Sequence, residues 1–368
     1  MTKSIKVLHT EWSDGWGGQE IRIINEMLSI RNIGVEVFLA CRDHSVIKKK
    51  AQESNFKVFI LPFKGNADFK TVFELRKIII ENKINILNTH SSKDTWVGGI
   101  AAKSTGIKFI RTRHLSIPIK KSRMNFINEL ADYIFTTGES IRSSMIALNR
   151  ISPNKIESIP TGIDCNKYNP SRYNRNDCRD LFNLNVDEIV IGMVSVLRRF
   201  KRHDRFIQMA RYVINKNPTK KIKILIAGEG PQRDMISKMI YDLGLNDSVV
   251  MLGHVDYVPQ LICALDIFVL ASDSGEGVSQ SLMQALLMET AVISTDVGST
   301  RDLHSKDNFI LVDIDNQDQL NKACNKLINK NDLREKYQKK SRKFVMQNFS
   351  DERMTEKIIR VYSYLNQQ

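Results

Sequence analysis

The chain has 368 residues, 42% of them hydrophobic and 26% charged, which is the composition of a soluble globular protein long enough for two domains. Its five cysteines are odd in number and scattered without a CxxC pair, and no apolar run approaches the ~20 residues of a membrane span, so a disulfide framework, a zinc site and a transmembrane helix are not expected. The formal net charge is +14, of which residues 1–180 carry +11 (29 Lys+Arg against 18 Asp+Glu), a balance that fits either an anionic partner for the first half or a solvated basic surface.

The first residues, MTKSIKVLHTEW, reach Glu11 and Trp12 too early for a secretory signal, and with the cysteine usage this places the chain in the cytoplasm. IKVLHT (5–10) predicts a first strand, and the periodic QEIRIINEMLSIRN (19–32) a helix after it. Between them stands Gly17-Gly18. Glycines at a strand-to-helix turn let a phosphate approach the backbone and the N–H groups of the helix end. A tight turn explains the pair as well, and the spacing matches neither G-x-G-x-x-G nor a P-loop. VEVFLACR (35–42), KVFILPF (57–63), INILNTH (84–90), KFIRTRH (108–114) and YIFTTG (133–138) continue as strands with helical segments mostly between them. His90 and His114 end two of these strands, at the sheet edge where ligands sit in open α/β sheets. IPIKKSRMNFINELADYIF (117–135) reads as an amphipathic helix with Lys120, Lys121 and Arg123 at its start. Cations there oppose the helix dipole and suggest an external anion; a solvated basic end is the alternative.

The polar stretch 169–188, poor in apolar periodicity, marks the expected boundary, and the strand–helix pattern then restarts. Strands are predicted at 188–197, 222–230, 248–254, 267–272, 291–298 and 308–313, and residues 331–366 are mostly helical, with Asp351 as an N-cap candidate. The first of these strands runs into a basic cluster, Arg198, Arg199, Lys201 and Arg202. Such a cluster suits a diphosphate, and a solvated loop equally. Gly228 and Gly230 make a sharp turn without the third glycine of a dinucleotide site. SDSGEGVSQSLMQALLM (272–288) flanks Glu276 with Gly275 and Gly277, leaves backbone N–H groups from Gly277 to Ser279 at a helix entrance, and sets the amide of Gln284 beside an apolar face. Near-continuous apolar strands alternating with helices predict an α/β protein of two Rossmann-like doubly wound domains, facing a central cleft at the carboxyl ends of their sheets.

The ordered set of motifs resembles the GT-B glycosyltransferases, and most closely the retaining family 4. It comprises the Gly-Gly turn, the Thr-x-His ending at His114, IPTGIDCNKY (159–168), the basic loop at 198–202, GEGP (228–231), MLGHV (251–255), the Glu276 loop and STDVGSTRDL (294–303), and it spans nearly the whole chain. The resemblance implies an acceptor-binding domain over 1–175, a nucleotide-sugar-binding domain over 186–345, and a segment 346–368 that packs back on the first. It implies a metal-independent, retaining transfer with no prosthetic group, from a UDP- or GDP-sugar to a saccharide or lipid-linked acceptor, in lipopolysaccharide, capsule or related synthesis. The enzyme would be cytoplasmic, peripheral on the anionic inner membrane, without nucleic acid. Arg198, Lys201, Glu276 and His114 take the catalytic places. Gly17, Gly18, Gly253, His254, Val255, Gly277, Val278, Ser279 and Gln284 take the donor-binding ones, and His90, Lys120, Lys121 and Arg123 the acceptor or membrane side.

Three departures stand out. Gln284 occupies the position of the second Glu of the family signature. Counting five back from Lys201 reaches Val196 rather than an arginine, so Arg198 and Arg199 compete for the phosphate. Asp302 stands where the family often has Glu. Other readings are a GT-B epimerase or phosphorylase, an inactive GT-B scaffold, and a basic nucleic-acid-binding protein, the last without any recognisable motif.

Overall fold

The computed structural model describes residues 5–114, 119, 126–305 and 308–367. The chain divides into two compact units, Met1–Gly162 together with Asp351–Gln368, and Ile163–Ser350. The first contains β1 (Lys6–Glu11), α1 (Gly18–Asn32), β2 (Glu36–Cys41), α2 (Val46–Glu53), β3 (Lys57–Ile60), α3 (Phe69–Asn82), β4 (Ile86–Thr89), α4 (Ser92–Thr105), β5 (Lys108–Arg113), α5 (Phe126–Glu129), β6 (Tyr133–Thr136), α6 (Glu139–Asn149) and β7 (Ile156–Ser158). The second contains α7 (Arg175–Asp180), β8 (Ile189–Val194), α8 (His203–Lys216), β9 (Ile222–Ala227), α9 (Arg233–Asp242), β10 (Val249–Gly253), α10 (Val258–Ala264), β11 (Ile267–Leu270), α11 (Gln280–Leu287), β12 (Ala291–Thr295), β13 (Ile310–Val312), α12 (Gln317–Asn329) and α13 (Asn331–Phe349). A last helix, α14 (Asp351–Asn366), returns to the first unit and packs on α1.

Both sheets are parallel, in the orders β3-β2-β1-β4-β5-β6-β7 and β10-β9-β8-β11-β12-β13. The order reverses between β1 and β4 and between β8 and β11, and at such points open α/β sheets leave a crevice beyond the carboxyl ends of the strands. Successive strand residues feed opposite layers. Val7 lies in the core with α1, α2 and α14, and Leu8 in the core with α3 and α4. In the second unit Val190 packs with α10 and α11, and Ile191 with α8, α9 and α12. Burial on both faces explains why the strands read as continuous apolar runs.

Several expectations are corrected. A seventh strand, β7, closes the first sheet; three residues are too few to show a period. The polar stretch 169–188 lies inside the second unit, where Cys178 and Leu184 are buried in the core and Tyr173 and Phe182 pack against it, joined by ionic anchors. Arg175 and Arg179 from α7 each reach the Asp266 carboxylate at 2.8 Å. The division falls instead at Gly162, where an added Cβ would sit 2.7 Å from the Asp351 Cα, so only glycine lets the two segments touch. Asp351 is the first residue of α14 rather than its cap. A single helix over 117–135 is not present: its described part is helical only over Phe126–Glu129, and the chain turns at Leu130–Asp132 into β6. Asp132 fixes that turn by accepting from the Phe109 N–H at 2.7 Å. Lys120, Lys121 and Arg123 lie outside the described residues.

Candidate active site

In the second unit the site grows from the carboxyl ends of the central strands β8 and β11. After β8 the chain makes one 3₁₀ turn, Arg199–Lys201, and Arg202 takes a left-handed conformation (φ 54°) that swings it into α8. This folds four basic residues of a short loop to different sides. Arg202 is neutralised by Asp204 at 2.9 Å and Asp273 at 3.1 Å. Lys201 turns inward to Glu276, Nζ to Oε1 2.5 Å, and Ser272 Oγ donates to the same oxygen at 2.6 Å. Arg198 and Arg199 remain exposed, with no carboxylate in ion-pair reach among the described residues. They line a cavity of about 390 Å³ with Arg202, His203, Gln232 and Asp273. His203 Nε2 lies 3.2 Å from Ser195 Oγ, and burial pushes the imidazole down to about 4, so it is a neutral wall.

The Glu276 loop is held rigidly. Gly275 has φ 72°, and Gly298, after β12, has φ 56° with its Cα pressed on the Glu276 carbonyl, which an added Cβ would approach to 1.9 Å. Thr295 Oγ1 donates to the Ser272 carbonyl at 2.5 Å. The loop ends at Ser279, which precedes α11. The N–H groups of Gly277, Val278 and Ser279 donate to no other described residue and sit at the positive end of that helix. Gln284 is half-buried, and its side-chain amide makes no hydrogen bond with the described residues, so it keeps its full donor and acceptor capacity. Gly253 ends β10, the edge strand, and His254-Val255 follow it. The Val255 side chain is in the core and His254 is exposed beside Asp256, so this segment offers a ligand its backbone.

In the first unit, β1, β4 and β5 are adjacent; His9 lies within β1, and His90 and His114 directly follow β4 and β5. His9 stacks on His90, and His114 lies tilted by 36° against His90, with ring centroids 5.2 Å apart in each pair. His9 Nδ1 and His90 Nε2 are 2.9 Å apart, and His90 Nδ1 and His114 Nε2 3.0 Å. Burial, reinforced by the Arg22 cation, holds His9 down to about 3, and burial keeps His90 and His114 well below the usual imidazole range. All three are therefore neutral, and each hydrogen bond fixes the tautomer of the next. Beside them Asp94 accepts from Thr10 Oγ1 at 2.7 Å and from the His90 N–H at 2.9 Å. Glu11 accepts from the Ser13 N–H at 2.7 Å and from Gln19 at 2.5 Å, and burial plus the Asp94 charge push it up to about 8. At Gly17-Gly18 neither φ is left-handed, and a Cβ on Gly18 would meet nothing within 4 Å. The fold does not need glycine there; what glycine leaves is open space at the N-terminus of α1.

Lys201, Glu276 and Arg198 thus gather at one edge of the second unit, and His90 and His114 touch in the first. His9, Ser272 and Asp273 escaped the sequence reading. His9 sits within a strand pattern, and Ser272 has no signal apart from its spacing to Glu276. Among the described residues no group of three His, Cys, Asp or Glu side chains is placed to hold a metal ion, and no helix is long and apolar enough to cross a membrane.

Two family descriptions match successive parts of the chain: Glycosyltransferase Family 4 over residues 16–167 and Glycosyl transferases group 1 over residues 174–344. Among relatives, the chain is 23% identical to an Escherichia coli UDP-Gal:alpha-D-GlcNAc-diphosphoundecaprenol alpha-1,3-galactosyltransferase, covering 76% of each. It is 24% identical to the Staphylococcus aureus capsular polysaccharide biosynthesis glycosyltransferase CapM, covering 91% of each. Among solved structures, a Rickettsia africae glycosyltransferase superposes with a TM-score of 0.88 at 18% identity, covering 99% of each chain. The Anabaena HepE protein in complex with UDP and glucose superposes at 0.83 and 17% identity, over 98% of this chain and all of its own.

Proposed function

Because the chain belongs to the GT-B glycosyltransferases of the family 4 type, we propose that it moves a sugar from a nucleotide-sugar donor to a saccharide or lipid-linked acceptor, with retention and without a metal. The observation that carries the reading is the charge arrangement in the second unit. Arg198 and Arg199 are unneutralised at a cavity whose other charges are paired, while Lys201 and Glu276 hold each other alongside donor N–H groups. A diphosphate meets the need of such cations for a counter-charge, and a sugar hydroxyl meets that of the carboxylate.

The chemistry follows from charge flow. The bond from the sugar C1 to the diphosphate oxygen breaks, and negative charge grows on the leaving group. Arg198, Lys201 and the N–H groups of Val278 and Ser279 stabilise that charge; loss of one such donor costs on the order of 10²–10³-fold in rate. The acceptor hydroxyl forms the new bond to C1, and its proton passes to the leaving phosphate oxygen, so no side chain is a nucleophile. Lys201 exchanges its contact with Glu276 for phosphate, which frees Glu276 for donor-sugar hydroxyls. Gln284, unpartnered, takes the ribose hydroxyls. His114, neutral, positions the sugar rather than acting as a base, and the open N-terminus at Gly17-Gly18 suits an anionic group. The galactosyltransferase and CapM relatives support a surface-polysaccharide pathway, and the UDP-bound neighbour a UDP-sugar, with a GDP-sugar the other choice.

A thermal-shift comparison of UDP-, GDP-, ADP- and CMP-sugars tests the donor. One of them, at 100 times its Kd, should stabilise the protein by about 2.7 kcal/mol. The gain should vanish in Glu276→Ala. No shift with any donor sinks the assignment, and epimerised nucleotide sugar formed without an acceptor replaces transfer with epimerisation.

A further inference from the structure

Helix α3 shows an outward face that the fold does not use. Its inward residues, Val72, Leu75, Ile78 and Ile79, are already buried in the core of the first unit. Phe69, Phe73 and Ile80 nevertheless stand 67%, 66% and 64% exposed. At 3.6 residues per turn these three fall within roughly 40° of arc, so they form one stripe along a helix about 21 Å long. A single exposed apolar residue is ordinary, but an aligned pair of phenylalanines with an isoleucine marks a contact surface.

The residues beside the stripe say what it contacts. Arg76 follows it on one side, Lys77 and Lys70 on the other. Neither Lys70 nor Arg76 has a carboxylate in ion-pair reach among the described residues, and Lys77 meets Glu81 only at 4.0 Å, both well exposed. Glu74 and Glu81 lie at the edge farthest from the stripe. Protein interfaces are depleted in lysine, whereas helices lying on lipid set aromatic residues against a flank of Lys and Arg. The excess of 11 positive charges in residues 1–180 puts the stripe on the basic half of the chain.

We propose that this face of α3 docks on an anionic lipid bilayer, with Phe69, Phe73 and Ile80 in the headgroup–acyl boundary and Lys70, Arg76 and Lys77 over the phosphates. The proposal does not depend on the donor assignment.

Sedimentation of the full chain with vesicles tests it. The protein should bind vesicles of phosphatidylcholine with phosphatidylglycerol, bind phosphatidylcholine alone weakly, and be released by salt. Phe69→Ser/Phe73→Ser should weaken binding by about tenfold or more with Tm and donor binding unchanged, since both rings are exposed. Lys70→Glu/Lys77→Glu should remove the preference for anionic lipid. The proposal is overturned if the wild-type chain ignores anionic vesicles, or if Phe69→Ser/Phe73→Ser binds as well as wild type while Lys120→Glu/Lys121→Glu does not. It is also overturned if light scattering shows a dimer that Phe69→Ser/Phe73→Ser dissociates, since the face then serves a second copy.

Discussion

At the level of residues, the site depends on charges that satisfy one another until a ligand arrives. Lys201 and Glu276 have side chains only 12% and 8% exposed. Removing one partner of a nearly buried pair strands the other. Lys201→Met should therefore cost about 2–3 kcal/mol, because the nearly buried carboxylate loses its counter-charge. Glu276→Gln should cost less, since the Lys201 stem can carry its cation toward water. The double variant should melt above Lys201→Met; thermal unfolding of all four proteins checks this, and strict additivity would show that the pair does not couple. The glycines divide by cause. Gly298 and Gly275 serve backbone geometry, whereas Gly18 has neither a left-handed φ nor a neighbour to avoid. Sequence alone showed glycines in both places and could not separate the two reasons.

At the level of elements, adjacency does what spacing cannot. His9, His90 and His114 are distant in sequence and come into contact because β1, β4 and β5 are neighbours. Helix α4 shows the same dependence. It has little amphipathic pattern, yet Gly98 and Gly99 bring it tight against the sheet. A Cβ at Gly98 would lie 2.7 Å from Thr89 Cγ2 and 3.1 Å from Leu87. Alanine is the better helix former by about 1 kcal/mol. The clash with a stiff β-branched methyl outweighs that gain, and Gly98→Ala should destabilise by about 1 kcal/mol net, read as a lower Tm. A rise in Tm would mean that the helix can lift off the strand at no cost. The 169–188 stretch depends on packing in the same way: a few scattered apolar residues, Cys178 and Leu184 among them, and the ion pairs of Arg175 and Arg179 with Asp266 hold it, which leaves no apolar period to display.

At the level of the whole molecule, the buried titratable groups set the pH of greatest stability. His9, His90, His114 and His203 are neutral in the fold, with pKa values below the ordinary 6.5. The unfolded chain binds their protons first, so their contribution is full above about 6.5 and is lost as pH falls. Glu11, Asp94 and Glu26 are shifted up by burial. The unfolded chain releases their protons first, so their contribution is full below the ordinary carboxylate range and is lost as pH rises, for Glu11 up to about 8. Four groups act on the acid side and three on the alkaline side, which puts the maximum of Tm near pH 6.5, the ordinary histidine value. A Tm series from acid to alkaline pH checks this, and Glu11→Gln should flatten the alkaline limb. A Tm still climbing at pH 8 would show that Glu11 is ionised in the fold.

The sequence by itself determined the class of fold, twelve of the thirteen strands found among the described residues, the family, and the residues at the edges of the strands, because apolar period and turn chemistry are local and survive in one dimension. It also supplied Arg198, Arg199, Lys201 and Arg202 as one basic cluster. Only the tertiary structure decided which of those cations is spoken for. A charge is neutralised by whatever carboxylate the fold brings within a few ångströms, and Asp273 and Glu276 come from a different strand end, more than 70 residues away. The same holds for the return of α14 to the first unit, the three-histidine cluster and the bare face of α3. Each depends on which surfaces the packing covers, and no local pattern records that.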